Sequence, residues 1–336
     1  MKRILYIGNN LTKKTKYNST LVTLSENLER ESYKILKTSD KSNKIVRLID
    51  MIMHTIKYKN VDYLLIDTFS TVNFYYALVI SQLSRLLKIN YIPILHGGNL
   101  PNRLNKNRFL SNLIFRNSLI NIAPSGYLKY EFEKMGYSTI FIPNILDMDL
   151  YQFKERKNVT PRLLYVRSFH KIYNPTMAIE VLNKLKKRYP TAELCMVGPV
   201  KDDSFEECKK MVKDYHLEKA IKFTGVLPKE EWHKLSENYD IFINTTNFDN
   251  TPVSVMEAMA LGLPIVSTNA GGLPYLVENE KDGVLVNKND IDTMVDAIIN
   301  LIENPQKAYQ MALLARKKAE SFDWEVVKHK WFKILK

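Results

Sequence analysis

Residues 244–270 read NTTNFDNTPVSVMEAMALGLPIVSTNA, and they contain the clearest strand and helix pattern in the chain. An apolar strand predicted over 241–244 leads through a polar loop into a helix predicted over 252–261, and a second strand follows at 264–267. Two strands joined through a helix predict a parallel pair, because parallel neighbours need a long crossover connection. This segment therefore predicts one βαβ unit.

The same alternation of short apolar runs and longer amphipathic runs extends along the whole chain. One series begins with a strand at 3–7 and ends with a strand at 139–142, and a second begins with a strand at 163–166 and includes a helix at 290–302. A charged stretch that ends in Pro161 separates the two series. We therefore predict an α/β protein with two Rossmann-like doubly wound domains that face a central cleft.

Composition excludes several classes of protein. The chain has 336 residues, of which 45% are hydrophobic, so it can bury substantial cores and is not disordered. Its two cysteines, Cys195 and Cys208, are too few for a disulfide scaffold or a cysteine-rich zinc site. No apolar run approaches the ~18 residues of a spanning helix, and residues 1–8 are too short and strand-like for a signal peptide. These features predict a cytoplasmic protein.

The positive charge is concentrated in the N-terminal half. Residues 1–158 contain 24 Lys and Arg against 12 Asp and Glu, whereas residues 159–336 contain 25 against 24. Such asymmetry predicts that the first domain meets a polyanion, and an anionic acceptor or an anionic membrane surface both fit. Because no nucleic-acid-binding module is recognisable, we expect no nucleic acid partner. A peripheral position on the inner face of the cell membrane is compatible with this charge.

The loop and helix after strand 241–244 have the features of an anion site. Thr251 fits the helix N-cap and Pro252 fits the first helical position. The backbone amides of Val253 and Ser254 would then lie at a helix N-terminus, which favours phosphate. Glu257, one turn further, could accept hydrogen bonds from both hydroxyls of a ribose. The spacing alone equally fits a capped amphipathic helix with solvated acids.

This segment resembles the signature of the family-4 retaining glycosyltransferases, which have the GT-B fold and belong to the glycosyl transferases group 1. In that signature two acidic residues with seven residues between them precede Ala-Met-Ala-x-Gly-x-Pro, and here the two are Asp249 and Glu257. The first is usually Glu, so Asp249 is shorter by one methylene. The resemblance implies an N-terminal acceptor-binding domain at 1–155 and a C-terminal nucleotide-sugar-binding domain at 156–319. It also implies a terminal helix, at 320–336, that packs back on the first domain.

The resemblance implies a role for several residues that follow predicted strands. Asp249 and the backbone amides after it would orient the donor sugar, and Glu257 would hold the ribose. The loop that includes Val226 and Leu227 resembles the one whose backbone borders the nucleobase. The implied donor-binding residues are Gly8, Val226, Leu227, Asn250, Thr251, Val253, Ser254 and Glu257.

Two cations, Arg167 and Lys171, follow the first strand of the second domain. Arg can bind a diphosphate with two parallel hydrogen bonds, while Lys acts as a point charge. An isolated pair of this kind is more often two surface cations than a site. Its place after a strand favours a site, and the resemblance implies that both residues stabilise the departing diphosphate. The family's usual spacing is a residue or two wider than the one found here.

His96 follows the apolar strand 91–95 and precedes Gly97 and Gly98. A lone histidine is more often structural than catalytic, but glycines allow the backbone to approach a ligand closely. His96 resembles the histidine of the family's first domain that contacts the donor sugar. Gly8, at the end of the first strand, resembles a glycine that flanks donor and acceptor, although the loop after it lacks the usual Gly-Gly. The implied catalytic residues are His96, Arg167, Lys171 and Asp249.

The activity implied by the resemblance is transfer of a hexosyl group from a nucleotide diphosphate sugar, expected to be UDP-linked, to a polysaccharide, glycolipid or lipid-linked acceptor. It implies retention of configuration and no bound metal ion or cofactor. Two alternatives remain open from the residues alone. One is a sugar-nucleotide epimerase with the same two-domain architecture, and the other is a non-catalytic module that binds a sugar or a lipid.

Two amphipathic helices of the first domain stand out. A helix predicted at 105–117 combines cations with apolar residues, as a helix that lies on a membrane requires. An alternative is that its apolar face packs in the core while its cations line an anionic acceptor pocket. A second helix, predicted near 43–58, has five apolar residues on one face: Ile45, Leu48, Ile49, Ile52 and Ile56.

Overall fold

The computed structural model describes residues 1–10 and 20–336, and these form two compact units. Unit 1 contains Met1–Ile145 and Val327–Lys336, and unit 2 contains Leu146–Val326. Most of the loop that follows Gly8 lies outside the described residues. Within the described part of the chain, no helix has both the length and the apolar character needed to cross a bilayer.

Unit 1 contains a parallel six-stranded sheet in the order β2-β1-β3-β4-β5-β6. Its strands are β1 (Arg3–Ile7), β2 (Lys34–Thr38), β3 (Tyr63–Thr68), β4 (Tyr91–Leu95), β5 (Asn121–Ala123) and β6 (Thr139–Phe141). Its helices are α1 (Thr20–Arg30), α2 (Lys44–Lys57), α3 (Val72–Leu86), α4 (Leu100–Lys106), α5 (Arg108–Phe115) and α6 (Gly126–Lys134). All six residues of β3 are buried, as expected for a central parallel strand that is covered on both faces.

Unit 2 contains a second parallel six-stranded sheet, in the order β12-β11-β10-β7-β8-β9. Its strands are β7 (Arg162–Val166), β8 (Glu193–Val197), β9 (Ile221–Gly225), β10 (Ile241–Asn244), β11 (Ile265–Thr268) and β12 (Val284–Val286). Its helices are α7 (Pro175–Leu185), α8 (Ser204–Asp214), α9 (Lys229–Ser236), α10 (Val253–Ala260), α11 (Leu273–Leu276), α12 (Ile291–Glu303) and α13 (Pro305–Glu320).

Both sheets reverse their direction of winding once. In unit 1 the reversal lies between β1 and β3, and in unit 2 it lies between β7 and β10. Loops that leave neighbouring strands at such a point diverge to opposite faces, which opens a crevice at the carboxyl ends of the strands. The prediction of two Rossmann-like doubly wound sheets is confirmed, and each unit has one position where a ligand site is expected.

The last helix, α14 (Trp324–Ile334), begins in unit 2 and continues into unit 1. Val327, Trp331 and Leu335 recur every four residues and are almost fully buried, so one stripe of the helix packs inward. Within unit 1, Lys328 Nζ lies 3.1 Å from a Glu31 carboxylate oxygen.

The prediction of a single helix at 105–117 is wrong, because the structure has two helices, α4 and α5, in this region. Asn107 has φ −131° and ψ 53°, outside the helical region, and it separates α4 from α5. Asparagine competes with helix geometry through its own hydrogen bonds, which explains the interruption. Leu104 and Ile114 are fully buried, whereas Phe109 is 74% exposed. Much of the predicted apolar face therefore belongs to the core.

Candidate functional site

The loops after β7 and β10 meet at the reversal point of unit 2. Arg167 follows β7, Asp249 lies in the loop after β10, and Arg167 Nη2 donates a hydrogen bond to Asp249 Oδ2. The guanidinium carbon of Arg167 also lies 4.2 Å from the centre of the Tyr173 ring, a cation–π contact. Two residues that the sequence placed in one site are thus in direct contact, although 82 positions separate them.

The Asp249 carboxylate lies in an environment that penalises its charge. Burial raises its pKa above the ordinary value, and Arg167 opposes this rise. The backbone N–H of Asn250 donates to Asp249 Oδ1 at 2.8 Å. One carboxylate oxygen therefore accepts from the Arg167 side chain and the other accepts from the backbone, which fixes the orientation of the group.

The N-terminus of α10 follows directly in the chain. The predicted cap is wrong by one residue: Pro252, with φ −69° and ψ 112°, occupies the N-cap position, and the helix begins at Val253. Because the backbone of Pro252 is extended, Thr251 lies one position too early to cap the helix. The amides of Val253 and Ser254 stand in the first turn, where no intrahelical acceptor is available.

Unpartnered polar atoms are concentrated at this place. Among the described residues, the buried atoms Arg167 Nε, Thr251 Oγ1 and Ser254 Oγ have no hydrogen-bond partner. A buried polar group without a partner costs about 1–3 kcal/mol, so native proteins rarely retain one unless a ligand or water satisfies it. These three atoms therefore indicate that α10 begins at a polar binding site.

Two glycines missed as site residues support the loop that carries Asp249. The N–H of Gly272 donates to the Asp249 carbonyl at 2.8 Å. A Cβ atom on Gly272 would collide with the Asn250 carbonyl oxygen, and one on Gly271 would collide with the Asp249 carbonyl oxygen. Only glycine allows this close approach of two backbones. The signal in the sequence was the consecutive glycine pair after β11.

Glu257, on α10, is only 4% exposed. It contacts Tyr151 and Lys229, neither of which the sequence analysis identified. Its Oε1 accepts a hydrogen bond from Tyr151 Oη at 3.0 Å and lies 2.8 Å from Lys229 Nζ. Burial, followed by the charge of Glu257, raises the pKa of Tyr151 above its ordinary value, so the phenol stays a donor. Both contacts are made by Oε1.

The loop after β9 leads to the same carboxylate. Val226 and Leu227 follow β9 and precede α9, whose first residue is Lys229. Through the contact between Lys229 and Glu257, the loop predicted to border the nucleobase lies next to the carboxylate predicted to bind the ribose. Next along α9, burial and Lys229 lower the pKa of His233 to about 4, which keeps this imidazole neutral.

Lys171 does not share the contacts of Arg167. Its ammonium group lies 2.8 Å from Asp203 and 3.6 Å from Glu207, and its side chain is 57% exposed. Lys171 follows β7 as predicted, but in this arrangement two carboxylates offset its charge. Its assignment to a diphosphate stays a prediction.

His96 follows β4, the strand next to β3, and the sequence analysis missed its partner. His96 Nε2 lies 2.8 Å from Asp67 Oδ1, and Tyr6 Oη donates to the same oxygen at 2.9 Å. The imidazole stacks on Phe69 with ring centres 4.8 Å apart. A Cβ atom on Gly8 would collide with the Asp67 carboxylate. Gly8 therefore leaves room for the side chain that holds His96.

This arrangement selects one tautomer of His96. A carboxylate oxygen accepts hydrogen bonds, so the nitrogen that faces Asp67, Nε2, is one that carries a proton. Asp67 and His96 are 8% and 9% exposed, which makes their orientation rigid. The unit therefore presents an imidazole with a defined direction and a defined protonated nitrogen.

Comparison with known proteins identifies the family of this chain. The family model described as glycosyl transferases group 1 matches residues 147–318. An uncharacterized glycosyltransferase of Haemophilus influenzae is 31% identical over 47% of this chain and 44% of its own length. The amylovoran biosynthesis glycosyltransferase AmsK of Erwinia amylovora is 30% identical over 43% of this chain and 37% of its own length. These matches span less than half of each relative.

Solved structures share the fold over the full chain. The Anabaena Alr3699/HepE structure in complex with UDP superposes with a TM-score of 0.78 at 19% identity, covering 100% of this chain and 99% of that one. The sucrose-phosphate synthase of Thermosynechococcus elongatus superposes with a TM-score of 0.80 at 15% identity, covering 99% and 98%. Because the family model accounts for just over half of the sequence and both sheets have the GT-B form, the chain belongs to the glycosyl transferases group 1 family.

Proposed function

We propose that this protein is a retaining glycosyltransferase that moves a hexosyl group from a UDP-linked sugar to a polysaccharide, glycolipid or lipid-linked acceptor. The observation that carries the proposal is the contact between Arg167 and Asp249 beside the first turn of α10. A guanidinium, first-turn amides and two buried hydroxyls without partners, on Thr251 and Ser254, are the groups that bind a diphosphate.

In this proposal the donor lies along the strand ends of unit 2. Arg167 and the amides of Val253 and Ser254 bind the diphosphate, Glu257 Oε2 accepts from the ribose, and the backbone of 226–227 borders the base. The UDP in the Anabaena HepE complex supports a uridine donor. Lys171 is proposed as a second cation for the diphosphate, and the reaction uses no metal ion or cofactor.

The proposed reaction takes place on one face of the sugar. The acceptor hydroxyl oxygen bonds to the anomeric carbon while the bond from that carbon to the phosphate oxygen breaks. The phosphate oxygen takes the bonding electron pair and then the acceptor's proton, which releases the nucleoside diphosphate. Arg167 stabilises the charge that develops on that phosphate, while Asp249 and His96 orient the sugar. We place the reaction in the cytoplasm, with the basic unit 1 meeting the acceptor.

The experiment that tests the proposal is a thermal-shift screen with a panel of nucleotide sugars, followed by an assay of transfer. A bound donor raises Tm by mass action, and we expect UDP-sugars to do so. Release of UDP with formation of a glycoside supports the proposal. Conversion of the donor sugar without an acceptor would instead favour an epimerase, and binding without turnover would favour a non-catalytic module.

Replacing Glu257 with alanine is expected to weaken donor binding more than turnover. Loss of hydrogen bonds from a charged carboxylate costs roughly 1.5–3 kcal/mol, so the donor KM should rise by about 10- to 100-fold. Steady-state kinetics with the donor varied measures the effect. Tyr151→Phe is the matched control, because it removes a bond to Oε1 and leaves Oε2; an equal rise in KM there would contradict the ribose assignment.

Replacing Asp67 with asparagine is expected to lower kcat by about 10- to 100-fold, because an amide no longer fixes the protonated nitrogen of His96. Asp67 is a positioning residue here, so its effect should depend on the imidazole. Asp67→Asn on a His96→Ala background should therefore cost little more than His96→Ala alone. Tyr6→Phe, which removes the other bond to Oδ1, controls for a structural role. Independent, additive losses would rule out the coupling.

A further inference from the structure

Unit 1 exposes an apolar surface formed by two helices that contact each other, α2 and α3. Its members are each between 36% and 79% exposed. We call this surface the α2–α3 face, and its residues are Ile45, Val46, Ile49, Met53 and Ile56 on α2 and Val72, Tyr75, Val79 and Leu86 on α3. Apart from the adjacent residues Ile45 and Val46, the members on each helix recur at spacings of three, four or seven residues, so they form one stripe per helix.

Only part of the apolar face predicted for α2 packs inward: Leu48 and Ile52 lie against the core, whereas Ile45, Ile49 and Ile56 are exposed. The helix buries Arg47, Met51 and Thr55, which are 7%, 2% and 0% exposed, while Ile45 and Ile49 are 72% and 54% exposed. Arg47 is held inward by hydrogen bonds to the Lys41 carbonyl at 2.7 Å and to other acceptors. Part of the apolar face of α2 therefore faces solvent, and the interior contacts of the helix are partly polar.

The surroundings of this face are strongly cationic. Residues 41–118 contain eleven Lys and Arg, three Asp and no Glu. Each of the three carboxylates is already engaged: Asp50 accepts from Thr38 Oγ1, Asp62 accepts from the Arg3 amide, and Asp67 holds His96. Three of the lysines, at positions 44, 57 and 59, lie at or beside the two ends of α2, and a fourth, Lys41, lies 3.2 Å from a carboxylate oxygen of Asp40.

We propose that the α2–α3 face binds the surface of a membrane that contains anionic phospholipid. An apolar stripe flanked by cations is what an interfacial helix needs, because the apolar side chains enter the acyl boundary while the cations meet the headgroups. A second copy of the chain fits less well, since a twofold contact would bring the same cations together. The region predicted as a helix at 105–117 exposes less apolar surface to a membrane, because Leu104 and Ile114 are buried in the core.

The test is sedimentation of the full chain with vesicles of phosphatidylcholine alone and with vesicles that also contain phosphatidylglycerol. We expect binding to the anionic vesicles and a decrease as NaCl rises from about 0.1 M to about 0.5 M. Ile49→Ser with Met53→Ser should reduce the partition coefficient by at least about tenfold. Lys44→Gln with Lys57→Gln should reduce it specifically for the anionic vesicles and weaken the salt dependence.

Matched controls distinguish binding through the α2–α3 face from nonspecific hydrophobic adsorption. Leu314→Ser with Val326→Ser removes two apolar residues of unit 2 that are 42% and 49% exposed, and Phe109→Ser removes an exposed aromatic residue of α5. Both variants should bind as the unaltered protein does. Equal losses in these controls, or no binding by the unaltered protein, would overturn the proposal. A dimer in light scattering that Ile49→Ser with Met53→Ser converts to a monomer would assign the face to a second copy. The vesicle assay contains no donor, so a negative result would contradict the membrane proposal without contradicting the proposed transferase reaction.

Discussion

Arg167→Ala is expected to lower kcat by about 10²–10³-fold, because the phosphate would lose the cation that stabilises its developing charge. The donor KM should change less, since first-turn amides and Glu257 also bind the donor. Single-turnover measurements at saturating donor separate the chemical step from product release. A rise in KM with kcat unchanged would contradict the assignment to the departing phosphate.

The same substitution also breaks an ion pair, so stability needs its own control. Breaking a buried pair costs about 3–5 kcal/mol, and the side chains of Arg167 and Asp249 are 22% and 10% exposed, which points to the lower end of that range. Adding Asp249→Asn removes the carboxylate left without a partner. The double variant should therefore recover Tm without recovering activity. Recovery of both would mean that Arg167 has only a structural role.

Gly272→Ala is expected to abolish most donor binding. The added methyl group would collide with the Asn250 carbonyl oxygen, and the backbone of 249–250 would have to move. A shift of this size at the loop that positions Asp249 should lower kcat/KM by about 10²-fold. Donor titration followed by intrinsic fluorescence, together with steady-state kinetics, measures the effect.

Gly136→Ala is the matched control for that substitution. Gly136 has φ +82° and no atom within 4 Å of an added Cβ, so alanine there pays only the left-handed backbone cost of about 1–2 kcal/mol. It should lower Tm and leave kcat/KM unchanged. If Gly272→Ala behaved in the same way, the close approach of the two loops would have no part in donor binding.

The order of elements was predictable because each parallel strand is a short buried run bounded by turns. β7, β10 and β11 lie within one or two residues of their predicted positions, since apolar periodicity is a local property. The contact between Arg167 and Asp249 was also foreseeable. Both residues follow strands, and parallel strands end at the same edge of a sheet.

The partners of Glu257 and His96 were not predictable, because no motif marks them. Tyr151 meets Glu257 across 106 positions, and Asp67 meets His96 across 29. Neither Tyr151 nor Asp67 stands in a motif that marks it. The exposure of Ile45 and Ile49 on α2 was not predictable either, because periodicity identifies an apolar stripe but does not show that Arg47 is buried through its own hydrogen bonds.

The path of α14 limits how the protein can be divided into fragments. Unit 1 is completed by Val327–Lys336, and the hydroxyl groups of Tyr33 and Tyr63 donate to the carbonyls of Leu335 and Lys336. A protein fragment that ends at Ile145 would lack Trp331, and the apolar residues that cover this side chain would be exposed to water. Expression of unit 1 alone would therefore require a circularly permuted gene, or a linker that joins Ile145 to residues 327–336.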